Sequence, residues 1–125
     1  MDTPTKEQVL AEPAGPRLDA WVEQFLFGRE LYWYEPYRGW VWDSDAGRVY
    51  GVINGYSATW DGAGRVIDRL GSLAHASWTL RGGHPDYELA VYGDGLVSGR
   101  VEARAASAPE AVCKAALLVA LGDNL

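Results

Sequence analysis

The chain has 125 residues, close to the usual size of one domain, so we expect a single domain spanning residues 1–125. Its 48% apolar content is typical of soluble globular proteins. Because it lacks a run of about 18 apolar residues, it is not expected to cross a membrane. The formal net charge of −6 argues against binding to duplex nucleic acid or to an anionic membrane surface.

Cysteine usage and the first residues bear on the cellular compartment. The first 16 residues contain no basic segment followed by an apolar one, so a secretory signal is not expected. The single cysteine, Cys113, excludes an internal disulfide and is typical of a reducing cytoplasm. Both features predict a cytoplasmic protein.

Two helices are predicted near the start of the chain. A short helix over 5–11 begins with a capping-box pattern, in which Thr5 precedes Gln8 by three residues. An amphipathic helix over 16–27 follows, and Gly28 suits the left-handed residue that ends it. The apolar residues of this second helix form one stripe, and its acidic and amide residues lie off that stripe (Leu18, Val22, Phe25, Leu26; Asp19, Glu23, Gln24).

An aromatic and β-branched segment then predicts a β-hairpin over 39–53. Its strands are expected at 39–42 and 48–53. The sequence Asp-Ser-Asp-Ala-Gly between them has the composition of a turn.

A third helix is predicted over 58–70. Asp61 and Arg65 are spaced for an i,i+4 ion pair on its outer face. Gly62 and Gly64 both weaken the helix, and two glycines in one turn indicate that another part of the chain packs closely there. The inner stripe of this helix is expected to contain four apolar residues (Trp60, Ala63, Ile67, Leu70).

Three strands and a final helix complete the predicted elements. The helix, over 108–121, begins at a Ser107 cap with Glu110 three residues later. Because it is apolar on nearly all sides, it should be buried on more than one face, either at the centre of the domain or at a subunit contact. This order predicts an α+β fold, an antiparallel sheet with helices packed on both faces in an α/β/α sandwich. The strands are expected at 76–81, 87–92 and 99–105.

The sequence offers no catalytic motif. Ser57 lacks the second glycine of a nucleophile elbow, and a helix-capping or turn role suits it better. His75 and His84 are too few and too far apart to indicate a metal site. Cys113 lies in an alanine-rich helix, where a small thiol is typical of core packing. We therefore expect a protein that is not an enzyme and uses neither a metal ion nor a cofactor.

Aromatic residues are concentrated in one part of the chain. Nine of the 15 lie between residues 32 and 60, more than one small core is expected to hold. They indicate either a core together with a homo-oligomer interface, or a pocket that stacks a planar ligand such as a nucleobase. The two interpretations are compatible, because a pocket can form between subunits. The candidate ligand-binding residues are four aromatic side chains for base stacking, three arginines for phosphate, and a neighbouring serine (Tyr56, Trp60, Trp40, Trp42; Arg38, Arg48, Arg65; Ser57).

Three segments, about 48 of the 125 residues, resemble the phage ABA-sandwich domain family. They are AGPRLDAWVEQFLFG (14–28), GYSATWDGAGRVIDRL (55–70) and AASAPEAVCKAALLVAL (105–121). The second segment departs from the family pattern, since Thr59 stands where an acidic residue is expected and Gly64 where a tryptophan is expected. Such departures imply a ligand preference of its own if this segment lines a pocket.

The resemblance implies a small phage-encoded protein in the cytoplasm of the infected bacterial host. The leading hypothesis is a non-enzymatic sponge that binds and sequesters a host immune signalling nucleotide, of the cyclic nucleotide or cyclic ADP-ribose type, and so counteracts anti-phage defence. The alternative is a phage accessory or structural protein that acts through protein–protein contacts. Hydrolysis of the nucleotide would need a general base or a metal set, for which the sequence gives no support.

Overall fold

The computed structural model of the chain contains four α-helices and seven short strands in the residues that it describes, which are 2–44, 47–50, 55–74, 77–83, 86–93, 96 and 99–122. The helices are α1 (Lys6–Ala11), α2 (Pro16–Trp21), α3 (Trp60–Ala74) and α4 (Ala108–Leu121). The strands are β1 (Tyr32–Tyr34), β2 (Gly39–Val41), β3 (Asp43–Ser44), β4 (Gly47–Tyr50), β5 (Ser77–Gly83), β6 (Asp86–Tyr92) and β7 (Arg100–Ala105).

The N-terminal helices follow from their capping residues. The Gln8 N–H donates to Thr5 Oγ1 at 3.1 Å and the Thr5 N–H donates to Gln8 Oε1 at 2.8 Å, which confirms the capping box of α1. The predicted helix over 16–27 is divided, because α2 ends at Trp21 and continues as a π-helical turn, Val22–Leu26. Gly28 then takes a φ of 78°, the left-handed conformation that ends a helix.

Helix α4 lies at the centre of the domain. Eleven of its 14 residues are buried, because it packs against α3, the π-helical turn and the three-stranded sheet at the same time. The nearly uniform apolar sequence predicted burial on more than one face, and the central position is the one found.

Strands β5, β6 and β7 form an antiparallel sheet in which Leu80 pairs with Leu89 and Leu89 pairs with Ala103. Successive side chains of a strand point to opposite faces, so these residues share one face with Val91. Helix α4 packs on the sheet from this side. The α+β class and the packing of helices against an antiparallel sheet are confirmed. None of the helices in the described ranges has the length and hydropathy that a membrane crossing requires.

The opposite face of this sheet is polar and centres on the buried carboxylate of Glu88. Its oxygens accept hydrogen bonds from Arg81 Nε at 3.1 Å and Arg104 Nε at 2.9 Å. Burial alone would raise the pKa of Glu88, but the hydrogen bond from Arg104 and the charges of both arginines outweigh it and lower that pKa. The sequence predicted helices on both faces of the sheet. Among the described residues, α4 is the helix that makes most of the contacts with the three-stranded sheet, and the charged network lies on the other face.

The predicted hairpin over 39–53 agrees with the structure at its turn, since β3 and β4 pair antiparallel on either side of residues 45–46. Strand β2 pairs with β1, so that Trp40 lies opposite Trp33, and β3 and β4 form a separate hairpin. The chain reverses between β1 and β2 through a 3₁₀ turn, Glu35–Tyr37, followed by Arg38 in the left-handed conformation. Alternation of side chains identifies strands but does not identify their partners, so the pairing of β2 with β1 was not predicted. Residues 45–46 and 51–53 of the predicted hairpin lie outside the described residues.

Helix α3 begins at Trp60 and extends to Ala74, beyond the predicted end at residue 70. Its inward face contains Ala63, Val66 and Leu70, whereas Trp60 is 65% exposed. The prediction that Trp60 belongs to the inner stripe was therefore wrong, since a residue at the first position of this helix lies beyond the core that the later turns cover.

Candidate ligand-binding site

A cavity of about 390 Å³ lies beside the segment that leaves the π-helical turn and enters β1. Gly28 turns the chain out of the helix, and the next four residues follow the cavity wall to the first strand. The volume falls within the range of small-molecule sites. Its described lining residues are Arg29, Glu30, Leu31, Tyr32 and Trp42.

Arg29 and Trp42 form the central contact of this cavity. The guanidinium carbon of Arg29 lies 4.3 Å from the centre of the Trp42 ring, a cation–π contact. Glu23 holds Arg29 in two ways, because its Oε1 lies 3.0 Å from Arg29 Nη1 and its backbone oxygen accepts the Arg29 N–H at 3.1 Å. These two contacts place the guanidinium over the indole.

Glu23 is an unusual partner for a surface arginine. Its side chain is 1% exposed, and its Oε2 atom has no hydrogen-bond partner among the described residues. The π-helical turn that carries Glu23 is closed by the Phe27 N–H, which donates to the Val22 oxygen at 3.2 Å. Such turns are rare in helices and are frequent at functional sites, and buried unpaired carboxylate oxygens are also uncommon.

This arrangement is suited to a planar ligand that has a hydrogen-bond acceptor. Nucleobases stack on indole and phenol rings and also on guanidinium planes. Tyr32, 37% exposed, adds a second aromatic side chain to the wall. No cluster of potential metal ligands occurs among the described residues.

Of the predicted site residues, the structure places Trp42 in the lining of this cavity. Trp40 is half-buried and makes an edge contact with Trp33, with ring centres 5.5 Å apart. Trp60 and Arg38 are exposed at other positions in the fold. The predicted stacking pairs were Trp40 with Trp42, or Tyr56 with Trp60; of these four residues, only Trp42 is in the described lining of the cavity.

The other two predicted phosphate contacts are Arg65 and Arg48. The Arg65 guanidinium lies 3.9 Å from the Asp61 carboxylate on the outside of α3, as the i,i+4 spacing predicted. Arg48 lies in β4, and its side chain is outside the described part of the structure.

Tyr56 and Ser57, two further predicted ligand contacts, lie in the core. Tyr56 is 3% exposed and its ring is stacked on Phe27, with ring centres 5.1 Å apart. Ser57 is completely buried, and its hydroxyl donates to Asp19 Oδ1 at 2.6 Å. In this structure both side chains are occupied by contacts within the core.

Sequence reasoning missed Arg29, Tyr32 and Glu23. Tyr32 belonged to the aromatic surplus, and Arg29 follows the glycine that ends the second helix, a position close to the chain reversal. Glu23 was placed off the apolar stripe and is nevertheless buried, because this helical segment is enclosed on several sides: Asp19, Ala20 and Trp21, which are also outside the predicted stripe, are buried as well.

Burial also removes the reactivity of the one cysteine. Desolvation, together with the Asp19 and Glu110 carboxylates, raises the pKa of the Cys113 thiol well above its ordinary value. A buried thiol of this kind is inert at neutral pH.

In comparisons with protein families, curated proteins and solved structures, the chain gives no match.

Proposed function

We propose that this protein binds a nucleotide-class small molecule without transforming it, in the cavity lined by Arg29 and Trp42. The observation that carries the proposal is the guanidinium of Arg29 held 4.3 Å above the Trp42 ring at the wall of a ligand-sized cavity. Stacking on aromatic and guanidinium planes and charge-assisted hydrogen bonds from arginine are the usual means of holding a base and a phosphate.

We propose further that the biological role is sequestration of a host immune signal by a phage protein in the cytoplasm of the infected host. The support for this step is the resemblance of residues 14–28, 55–70 and 105–121 to phage ABA-sandwich domains. A sponge needs a binding site and no catalytic group, which agrees with the chemistry of the cavity wall.

The test is thermal melting and isothermal titration of the purified protein against nucleosides, cyclic mononucleotides, cyclic dinucleotides and cyclic ADP-ribose isomers. A ligand at 100 times its Kd should stabilise the fold by about 2.7 kcal/mol. Trp42→Ala should abolish the response, whereas Trp60→Ala should preserve it because Trp60 lies outside the cavity. Chromatography of the ligand released by heat should return it unchanged; a converted product would mean an enzyme instead.

A second candidate function, contact with other proteins, is favoured by tryptophans that lie on the surface. Trp33 is 49% exposed, Trp60 65% and Trp78 42%, and such side chains are enriched at protein interfaces. Sedimentation velocity over a range of concentrations would detect a homo-oligomer. A self-association that Trp78→Ser removes, with no thermal response to any nucleotide, would favour this candidate over the first.

A further inference from the structure

The charges around the cavity limit the ligands that it can hold. Arg29 is the one cation in its described lining, and Glu30 is part of the same wall. Glu23 lies immediately behind Arg29, with 3.0 Å between its Oε1 and the guanidinium. Together the three groups carry a formal charge of −1.

Arg29 is not free to give its whole charge to a ligand. Its partner Glu23 is buried, so breaking their ion pair would leave a carboxylate in the interior with neither water nor a cation. The backbone hydrogen bond from Arg29 to Glu23 also keeps the two residues together. We expect the ion pair to persist when a ligand binds.

The donors that remain on Arg29 match one phosphate group. A guanidinium has five N–H bonds, and with Nη1 turned toward Glu23 the donors on Nε and Nη2 can bind two oxygens of a single phosphate. A second phosphate would meet no further cation in the described lining, and it would lie near the Glu30 carboxylate. Each added phosphate therefore brings charge repulsion without a compensating contact.

We infer that the ligand of this site carries at most one negative charge, as a nucleoside or a cyclic mononucleotide does, and that Glu23 and Glu30 select against di- and triphosphates and dinucleotides. This inference rests on the proposed function. It narrows the class of nucleotide and names two carboxylates that set the selection.

The test is a calorimetric titration at constant ionic strength with two matched series, one of adenine and one of guanine. Each series contains the nucleoside, the 3′,5′-cyclic monophosphate, and the linear mono-, di- and triphosphate. We expect the cyclic monophosphate to bind at least about tenfold more tightly than the triphosphate of the same base. Glu30→Gln should reduce this difference several-fold by strengthening the binding of the triphosphate.

Glu7→Gln is the matched control, because it changes the net charge by the same amount at an exposed position of α1. Equal effects of the two variants would mean that overall charge and not the cavity sets the preference, which overturns the inference. Affinity that rises with phosphate number, or does not depend on it, also overturns the inference but leaves the proposed function standing. Absence of binding throughout both series, and also with cyclic dinucleotides and cyclic ADP-ribose isomers, would contradict the proposed function itself.

Discussion

The hydroxyl of Ser57 donates a 2.6 Å hydrogen bond to Asp19 Oδ1, and the Ser57 N–H donates to the same oxygen at 2.7 Å. Both side chains are buried, and the Gly15 N–H completes the network by donating to Ser57 Oγ at 3.0 Å. This network joins the start of α2 to the turn that precedes α3. Burial raises the pKa of Asp19, and the hydrogen bonds from Ser57 offset part of that effect.

Ser57→Ala should lower the free energy of unfolding by about 1–3 kcal/mol, because it leaves part of a buried hydrogen-bond network unsatisfied. Urea denaturation followed by circular dichroism measures the change. Ser72→Ala is the control, since the Ser72 hydroxyl is exposed and bonds only locally to the Arg69 oxygen. Equal small losses in the two variants would mean that the Asp19–Ser57 contact contributes little to stability.

Two glycines of α3 should respond oppositely to the same substitution. A Cβ atom on Gly62 would lie 2.7 Å from the Gly55 oxygen and from the Tyr56 Cα, both backbone atoms, whereas a Cβ atom on Gly64 would meet no atom within 4 Å. Gly62→Ala should therefore destabilise the protein by about 1–3 kcal/mol. Gly64→Ala should stabilise it by about 0.5–1 kcal/mol through helix propensity.

Thermal melting of both variants measures this difference directly. A Gly62→Ala protein as stable as the Gly64→Ala protein would show that the turn before α3 does not pack against Gly62 as closely as described.

Acid should weaken the fold through Glu88. Because its pKa is lowered in the folded state, the ionised carboxylate stabilises the fold fully above its ordinary pKa of 4.5, and this stabilisation is lost as the pH falls through the lowered value. Glu88→Gln should therefore flatten the loss of stability on acidification. The raised pKa of Asp19 changes the pH dependence of stability in the opposite direction. Because Asp19 is present in both the parent protein and Glu88→Gln, it does not affect the comparison between them.

Urea midpoints between pH 7 and pH 3 provide the measurement. Glu102→Gln is the control, because Glu102 lies in the same network with its side chain 52% exposed. An unchanged pH profile in Glu88→Gln would contradict the role assigned to the arginines around it.

Arg38 should be replaceable by glycine with a gain in stability. Its φ of 48° lies in the left-handed region, which costs an L-residue about 1 kcal/mol or more. Glycine avoids this cost, and the larger conformational entropy of glycine in the unfolded chain offsets only part of the gain. We expect Arg38→Gly to raise the free energy of unfolding by about 0.5 kcal/mol. Arg65→Gly, in the middle of α3, should instead lower it by about 1 kcal/mol.

Both arginines were candidate phosphate contacts, and neither lines the cavity. Calorimetry should therefore find the same ligand affinity in Arg38→Gly and in the parent protein. A tenfold or greater loss of affinity would place the site at the turn between β1 and β2 instead.

The sequence predicted those elements whose signals are local. The Thr5 capping box, the Gly28 helix end and the Ser107 cap depend on residues within one turn of each other, and all three occur as expected. The bounds of α4 agree with the prediction for the same reason, since the Ser107 cap and an unbroken apolar run define them.

The pairing of strands and the candidate site could not be predicted in this way. The pairing of β1 with β2 depends on the turn at Arg38, whose left-handed conformation is unusual for an arginine. The site depends on Glu23, which lies buried beside Arg29 in a π-helical turn that has no clear sequence signal. Tyr56 and Trp60 show the same limit, since an aromatic residue near a turn can end either in the core or in solvent.

The central position of α4 has a consequence for the order of events during synthesis. The ribosome makes residues 108–121 after every other element described, yet the sheet, α3 and the π-helical turn all complete their packing against that helix. Until α4 leaves the exit tunnel, the nascent chain presents the apolar side chains of Leu89, Val91 and Val66 without the helix that covers them. The cooperative folding step therefore belongs after translation of residue 121, and the unfinished chain is the form most exposed to chaperones and to aggregation.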